Sequence, residues 1–400
     1  MSALYLYDDA RARAFEPFAL TRPMSAMRIG AMLARDRWTR AHGAPPAGLI
    51  TAPAHEDFEE DGSPPGARDL ATGAIIVNTR CAVSLSTALP DADVWMCDGR
   101  VAGVKLDRAI RLSVLADGRV PLEELARDGG AVATIGGRWV DEVWHLVTDL
   151  LVQLGEDLMA LGPELSCETP AHAAVIGTHP AFVERGALVE PYVVLDVSAG
   201  PIVIRRGATV RAFTRMVGPC VVDAGATILG SRVHGCSIGE SSIIHGELSE
   251  TVVIGHSNKS HEGFVGHSYL GRWVNLGAGS ITSNLKNTYG SVPLWTPEGM
   301  RDTGVQKLGT LFGDHVKTGI GLRLTTGSVV GAGANIFGAD MPPKYVPPFT
   351  WGDGRSGATY QIEKFLEVAS RAMARRQVGI GDRGRRHLKR AFERAQREPG

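Results

Sequence analysis

A period of six runs through the second half of this chain. Ile204, Val210, Met216, Val222 and Ile228 stand six apart, and after a slip Ile238 and Ile244 resume the spacing. Phe312, Thr318, Leu324, Val330 and Ile336 repeat it further on. An amphipathic helix returns to the same face every ~3.6 residues and a half-buried strand every 2, so neither explains this pattern. Six residues instead make one side of a triangular coil. A short strand places one apolar residue inside, the chain turns, and stacked coils bury a continuous core. Glycine follows the inward position at Gly239, Gly313, Gly319 and Gly331, as expected at corners where a side chain would clash or φ must be positive. The spacing predicts a left-handed parallel β-helix over residues 170–348. Chance periodicity in a valine-rich sandwich is the weaker alternative.

The repeat breaks at 246–263 and at 284–309, where polar residues, proline and glycine replace it, and loops leaving the coil are expected there. Residues 1–165 have another texture. ALYLY, GAIIVN and DVWMC read as strands, alternating with amphipathic stretches such as SAMRIGAMLARDRW and EVWHLVTDLLVQLGEDLMAL, which predicts an α/β layer. Asp98-Gly99 and Asp117-Gly118 read as two-residue hairpin turns, so Asp98 is given a structural role. Residues 355–400 form a basic tail, helical from Tyr360 to about Arg397, with a solvated face.

Bulk properties exclude several function classes. Lys+Arg and Asp+Glu nearly cancel, to a net charge of -1, so no global field draws nucleic acid. The five cysteines are scattered, without a C-x-x-C pair, which argues against a disulfide framework or a cysteine zinc site and fits a reducing cytoplasm. No uncharged run approaches the ~18 residues that span a bilayer, and the N-terminus lacks an export-signal pattern.

Polar groups concentrate in HSNKSHEGFVGHSYLGRWVNLGAGSITSNLKN, between the two repeat runs. Here His261 is flanked by Ser260, Glu262 and Gly263, too polar a setting for a core residue, and a neutral imidazole is suited to take a proton from an attacking amine. Glu247 would fix the tautomer of such an imidazole. Asn275 opens a glycine-rich corner, NLGAGS, whose backbone N–H groups are placed to meet a ligand oxygen, with Asn284 and Lys286 on the loop that follows.

This stretch resembles the acetyltransferase half of the bifunctional GlmU-like sugar nucleotidyltransferase family, in which a histidine precedes the asparagine of a V-N-[IL]-G-A-G-[ST] corner by fourteen residues, as His261 precedes Asn275 here. The resemblance implies that His261 is the general base, Glu247 its acidic partner, Phe264 and Asn284 sugar contacts, and Asn275 and Lys286 further substrate contacts. It places acetyl-CoA at Ala278 and Gly279. Ser249 replaces the family's phosphate-binding lysine and Leu285 its tyrosine, leaving Lys286 or Lys259 to supply the cation. The N-terminal likeness is looser, carried by LYDD, LTRPMSAMRIGAMLARDRW and IIVNTR, and lacks the G-x-G-T-R phosphate loop. It makes Arg22, Arg28, Asn78 and Arg80 candidates for a nucleotidyl site served by Mg2+ and a nucleoside triphosphate.

The implied protein is a cytoplasmic homotrimer that acts on sugar phosphates and nucleotides, with no nucleic-acid or membrane partner. It would acetylate an amino-sugar 1-phosphate and form a nucleotide-sugar of the UDP-N-acetylglucosamine type. Two other readings stay open: a nucleotidyltransferase alone or a silent sugar-nucleotide-binding protein, and a zinc β-helix hydratase using His256, His261 and His267.

Overall fold

A computed structural model describes residues 2–168, 170, 172–355 and 357–397. The N-terminal part is built on a six-stranded mixed sheet in the order Gly48–Ile50, Leu4–Tyr7, Ile75–Asn78, Arg100–Lys105, Val94–Cys97, Val132–Thr134. The first three strands are parallel, and Arg100–Lys105 runs antiparallel to both its neighbours. Alternation sends Leu4, Leu6 and Val77 into one core and Tyr7, Ile76 and Val104 into another, so both faces of the sheet are covered.

Local chemistry shapes the segments between strands. Asp98 (φ 47°) and Gly99 (φ 71°) make the expected two-residue turn joining Val94–Cys97 to Arg100–Lys105. Asp117-Gly118 does not turn a hairpin; it lies between the short helices Leu112–Leu115 and Leu122–Leu125. SAMRIGAMLARDRW is likewise not one amphipathic element. Gly30 (φ 59°) reverses the chain between Arg28–Ile29 and Met32–Leu33, and only then does helix Ala34–His42 begin, ending on left-handed Gly43.

From residue 174 the chain winds as a parallel β-solenoid with three faces. One face holds six strands, from Ala174–Ile176 to Phe264–Gly266; the second holds nine, from Ala181–Val183 to Tyr345–Val346. The third runs from Leu188–Val189 to Asn258–Lys259 and continues through the bridges Asn258↔Asn275 and Asn275↔Lys317 to Trp351–Gly352. All the period-six residues are buried, Ile204, Val210, Met216, Val222, Ile228, Ile238, Ile244, Phe312, Val330 and Ile336 completely so. The corner glycines are required by close approach rather than by φ. A Cβ on Gly239 would strike the Ile254 carbonyl, one on Gly313 the backbone of Ala332, and one on Gly331 the backbone of Pro348, each on the next coil.

The expected loop at 246–263 is not a loop. Glu247–Ser249, Val252–Val253 and Asn258–Lys259 continue all three faces, and Leu248 and Val253 enter the core. The polar composition misled because Lys259 occupies the inward register of Ile244, its ammonium donating to the carbonyls of His245 and His261, both at 2.8 Å. The break at 284–309 does leave the coil, as a hairpin of Pro293–Thr296 and Gly299–Asp302. The guanidinium of its Arg301 pairs with Glu142 (2.8 Å) and sits over Trp144.

The outer side of the nine-strand face is apolar and joins the two parts of the molecule. Val203, Val221, Val252, Tyr269, Leu311 and Val329 share one core with Phe18, Met24, Ile29, Leu150 and Leu154. Arg22 and Arg28 lie in this junction, apart from the strand ends at Tyr7 and Asn78, and Arg22 lines a cavity of about 760 Å³ with Glu60, Arg272 and Asp314. Buried Arg22 pairs with Asp314 (2.9 Å) and Glu60 (2.8 Å), and Arg28 with Asp223 (3.0 Å) and Ser237 Oγ. Burial pushes the Glu60 carboxyl up, but the guanidinium groups of Arg22 and Arg272 outweigh it and hold it at about 2.

The basic tail is two helices, Ile362–Ala374 and Asp382–Arg397, separated at Gln377 (φ 61°) and the glycines that follow; residues 398–400 lie outside the described part. Its basic face is not simply solvated. Arg386 and Arg390 pair with Asp57, His387 meets the Thr21 carbonyl at 2.7 Å, and Leu388 and Ala391 pack with Leu20 and Phe349.

Candidate functional site

On the coil, three turns bring most of the expected residues together. Glu247 and Phe264 are partners in register on the six-strand face, as are Ser249 and Gly266. The tip of the Phe264 ring and the Asn284 amide converge over the Cα of Gly266, where any side chain would meet both. His261 is exposed, and its ring has no hydrogen-bond or ionic partner among the described residues. Its loop is fixed from beneath by Lys259 and from the side by Gly279, whose N–H donates to the Glu262 carbonyl at 3.0 Å. Burial pushes the Lys259 ammonium down to about 8.

The NLGAGS corner offers fewer free amides than its composition suggests. Asn275 N–H donates to Val316, Leu276 to Asn258, Gly277 to the Thr318 hydroxyl, Gly279 to Glu262 and Ser280 to Gly277. Ala278 N–H is the one without a partner among the described residues. Thr318 explains its own place in an apolar repeat: its hydroxyl accepts from Gly277 (2.9 Å) and meets Ser280 Oγ at 3.0 Å, locking the corner.

Glu247 is not placed as an acidic partner of His261. It pairs with Arg232 at 3.2 Å, while the carboxylate–imidazole contacts on this face are Glu262 with His245 and Glu250 with His267, each 3.3 Å. Lys259 is buried and spent on carbonyls, and Lys286 donates to the Ser291 carbonyl at 3.0 Å, so neither is a free phosphate cation. The three histidines of the zinc reading diverge within the chain. His256 accepts from Arg272 at 2.9 Å and packs on Trp273, His267 faces Glu250 and Asn284, and no cluster of three metal-ligating side chains occurs among the described residues.

A second cleft, of about 330 Å³, opens at the carboxyl ends of Leu4–Tyr7 and Ile75–Asn78, the place where parallel sheets usually bind ligands. Asp9, Asn78, Arg80, Arg100, Arg119 and Trp139 line it. Asn78 and Arg80 are therefore in a cleft as expected, but Arg80 is held by Asp9 (2.6 Å) and Asp141 (2.8 Å), and Arg100 lies over Trp139, 3.9 Å from the ring centre. Burial pushes Asp9 up, yet its bonds from Arg80 keep the carboxyl below its ordinary range.

Residues 4–163 match the family described as sugar nucleotidyl transferase. The likeness to that family covers the N-terminal part of the chain. The chain is also 34% identical over 91 residues to a bifunctional sugar-1-phosphate nucleotidylyltransferase/acetyltransferase of Sulfurisphaera tokodaii, covering 23% of each chain. It is 32% identical over 124 residues to the bifunctional protein GlmU of Methanococcus vannielii (31% of this chain, 28% of the relative) and 27% identical over 221 residues to that of Micrococcus luteus (53% and 35%). Each match spans well under two thirds of the relative's own length. No described helix is long and apolar enough to cross a membrane.

The N-terminal cleft does not fit Mg2+ as it stands. Both carboxylates at the end of the first strand are engaged: Asp8 accepts from Thr79, Thr51 and Met24 N–H, and Asp9 from Arg80, Asn78 and Ala12 N–H. A metal would have to displace Arg80 or Asn78 from Asp9.

Residue-type reasoning did not give Thr318, Lys259, Glu250 or His267 the places they hold: Thr318 stood as an inward repeat residue, Lys259 as a candidate phosphate cation and His267 as a candidate zinc ligand, while Glu250 was passed over. The first two carried a signal, a polar residue in an apolar register. The last two did not, because their contact depends on which corners stack.

Proposed function

We propose that this chain transfers an acetyl group from acetyl-CoA to the amine of an amino-sugar 1-phosphate at the coil site. The observation that carries it is the convergence of Phe264 and Asn284 over Gly266, beside an exposed imidazole and a single uncommitted amide. Phe264 and Asn284 would hold the sugar. His261 would accept the proton as the amine nitrogen attacks the thioester carbon, and Ala278 N–H would donate to the carbonyl oxygen as it gains charge. The carbon–sulfur bond then breaks and CoA leaves as the thiolate, which takes up a proton. Asn275, Gly279 and Lys286 are more plainly structural: the first two build the corner and Lys286 closes its own loop.

The relatives' names support the same pairing of activities, and likeness to that family carries the proposal of a homotrimer. The N-terminal cleft supports binding of a sugar phosphate or nucleotide, with exposed Arg119 as the cation that has no partner among the described residues. Nucleotidyl transfer coupled to acetylation is the fuller form of this reading; nucleotidyl transfer alone is the second reading, favoured by the family match.

Acetyl-CoA consumption with glucosamine-1-phosphate tests it, with His261→Ala compared against the parent after both are shown to be folded. Loss of a general base should lower turnover by about 10²–10⁴-fold. Equal turnover in the two proteins, or none in the parent with any amino-sugar phosphate, removes the acetyltransferase reading.

A further inference from the structure

His267 and Glu250 stand at the same corner of consecutive coils. Both are non-glycine residues with left-handed backbone, φ 47° and 46°, a conformation L-residues seldom adopt, and it turns both side chains toward each other. Each corner is pinned in the same way: His267 N–H donates to the Ser249 carbonyl at 2.8 Å and Glu250 N–H to the His234 carbonyl at 2.7 Å. The His267 ring is buried, with Nε2 3.3 Å from Glu250 Oε2 and Nδ1 2.9 Å from Asn284 Nδ2.

Donor and acceptor chemistry fixes the direction of this chain. A carboxylate only accepts, so Nε2 carries the proton and donates to Glu250; in the neutral ring Nδ1 is then a lone pair, and it takes an N–H from the Asn284 amide. With its nitrogen so engaged, over Gly266 and against the His267 ring, the amide directs its oxygen away from that ring, where it can accept. Reversing the ring tautomer would reverse the amide and turn its NH2 outward. The hydrogen bond from His267 holds the Glu250 carboxyl below its ordinary range, and the other charged or titratable groups facing Glu250 are His234 and Lys307.

We propose that Glu250 and His267 are positioning residues that set the polarity of Asn284, so that the site selects a sugar carrying an N–H donor at that point over one carrying none. The ligand half of this rests on the reading of Asn284 as a sugar contact; the Glu250–His267–Asn284 relay itself does not.

Two measurements on the full chain separate the halves. Histidine 15N NMR, with His267→Gln to assign the signal, should show His267 as the Nε2–H tautomer at neutral pH; an Nδ1–H or doubly protonated ring overturns the relay whatever the activity. Calorimetric titration should then show glucosamine-1-phosphate binding at least tenfold tighter than 2-deoxyglucose-1-phosphate. His267→Gln, whose amide can accept from Asn284 and donate to Glu250, should keep that preference, and His267→Met should lose it. Equal preference in the Met and Gln variants overturns the positioning role. If neither sugar binds the parent, the sugar reading and the ligand half fall together, while the NMR result still decides the relay.

Discussion

The N-terminal cleft and the coil site differ in how much of their chemistry is already spent. In the cleft, Arg80 and Arg100 are paired with Asp9 and Asp141, Asp8 is saturated by hydroxyls and an amide, and Trp139 is covered by a guanidinium. On the coil, the His261 ring and the Ala278 amide have no partner among the described residues, while everything around them is fixed by backbone bonds. A binding cleft can work with compensated charges, since a phosphate can exchange for a carboxylate. A site of bond-making needs a base and a donor that are free but held in place.

The comparison breaks first if the frame that carries both sites is not as rigid as its ion pairs suggest. Asp314→Ala leaves the buried Arg22 guanidinium with Glu60 and the Ala26 carbonyl, and a loss of about 3–5 kcal/mol of stability is expected from stripping a buried pair, read by denaturant unfolding. The same network has an acid signature. Glu60 lies at about 2 in the folded chain against an ordinary 4.5, so its contribution is complete above pH 4.5 and is lost as pH falls toward 2. Glu60→Gln should therefore flatten part of the acid limb of the stability curve; an unchanged limb would show that the network does not act through these charges.

Gly239→Ala comes next. Its Cβ would meet the Ile254 carbonyl on the next coil, so one coil must shift, at about 1–3 kcal/mol as for other overpacked sites. Gly43→Ala, at a helix end with open space around it, should cost about 1 kcal/mol, through its positive φ alone. Equal losses at the two glycines would contradict the close stacking that shapes the coil.

Lys259 sharpens the comparison from the side of the coil site. Its folded value of about 8 lies below the ordinary 10.5, so burying the charged ammonium costs stability below pH 8, and the cost fades as pH rises from 8 toward 10.5. The stability of the parent relative to Lys259→Met should therefore increase across that window. Because the ammonium also tethers the His261 carbonyl, acetyl transfer in Lys259→Met should fall about tenfold, as for a base displaced by a fraction of an ångström. A pH-independent difference between the two proteins would show that Lys259 is not buried as a charge. The smallest effect is expected in the cleft: Arg80→Ala should weaken nucleotide or sugar-phosphate binding about tenfold and leave acetyl transfer unchanged.

The coil was legible because its period is enforced by geometry: each of Ile204, Val210, Met216, Val222 and Ile228 fills an inward position, which a helix or a lone strand would not repeat at six. The strands at Leu4–Tyr7, Ile75–Asn78 and Val94–Cys97 were legible as short apolar runs. Where polar residues took inward places, the pattern failed as a guide. Lys259 and Thr318 satisfy backbone groups inside the coil, which local sequence does not announce. Arg22 and Arg28 look like phosphate ligands from their segment alone, and only the docking of the N-terminal domain onto the nine-strand face gives them Asp314, Glu60 and Asp223 instead. The spacing from His261 to Asn275 placed that histidine near its corner, but the partner expected at Glu247 went to Arg232, because neighbouring coils pair residue by residue across the face.

One assay bears directly on where the chemistry sits. With glucosamine-1-phosphate, acetyl-CoA and a nucleoside triphosphate all present, CoA release and pyrophosphate release are followed on the same sample of the parent, His261→Ala and Arg80→Ala. CoA release should appear in the parent, persist in Arg80→Ala and vanish in His261→Ala. Pyrophosphate release without any CoA release, abolished by Arg80→Ala and untouched by His261→Ala, would place the reaction in the N-terminal cleft and leave the coil a scaffold.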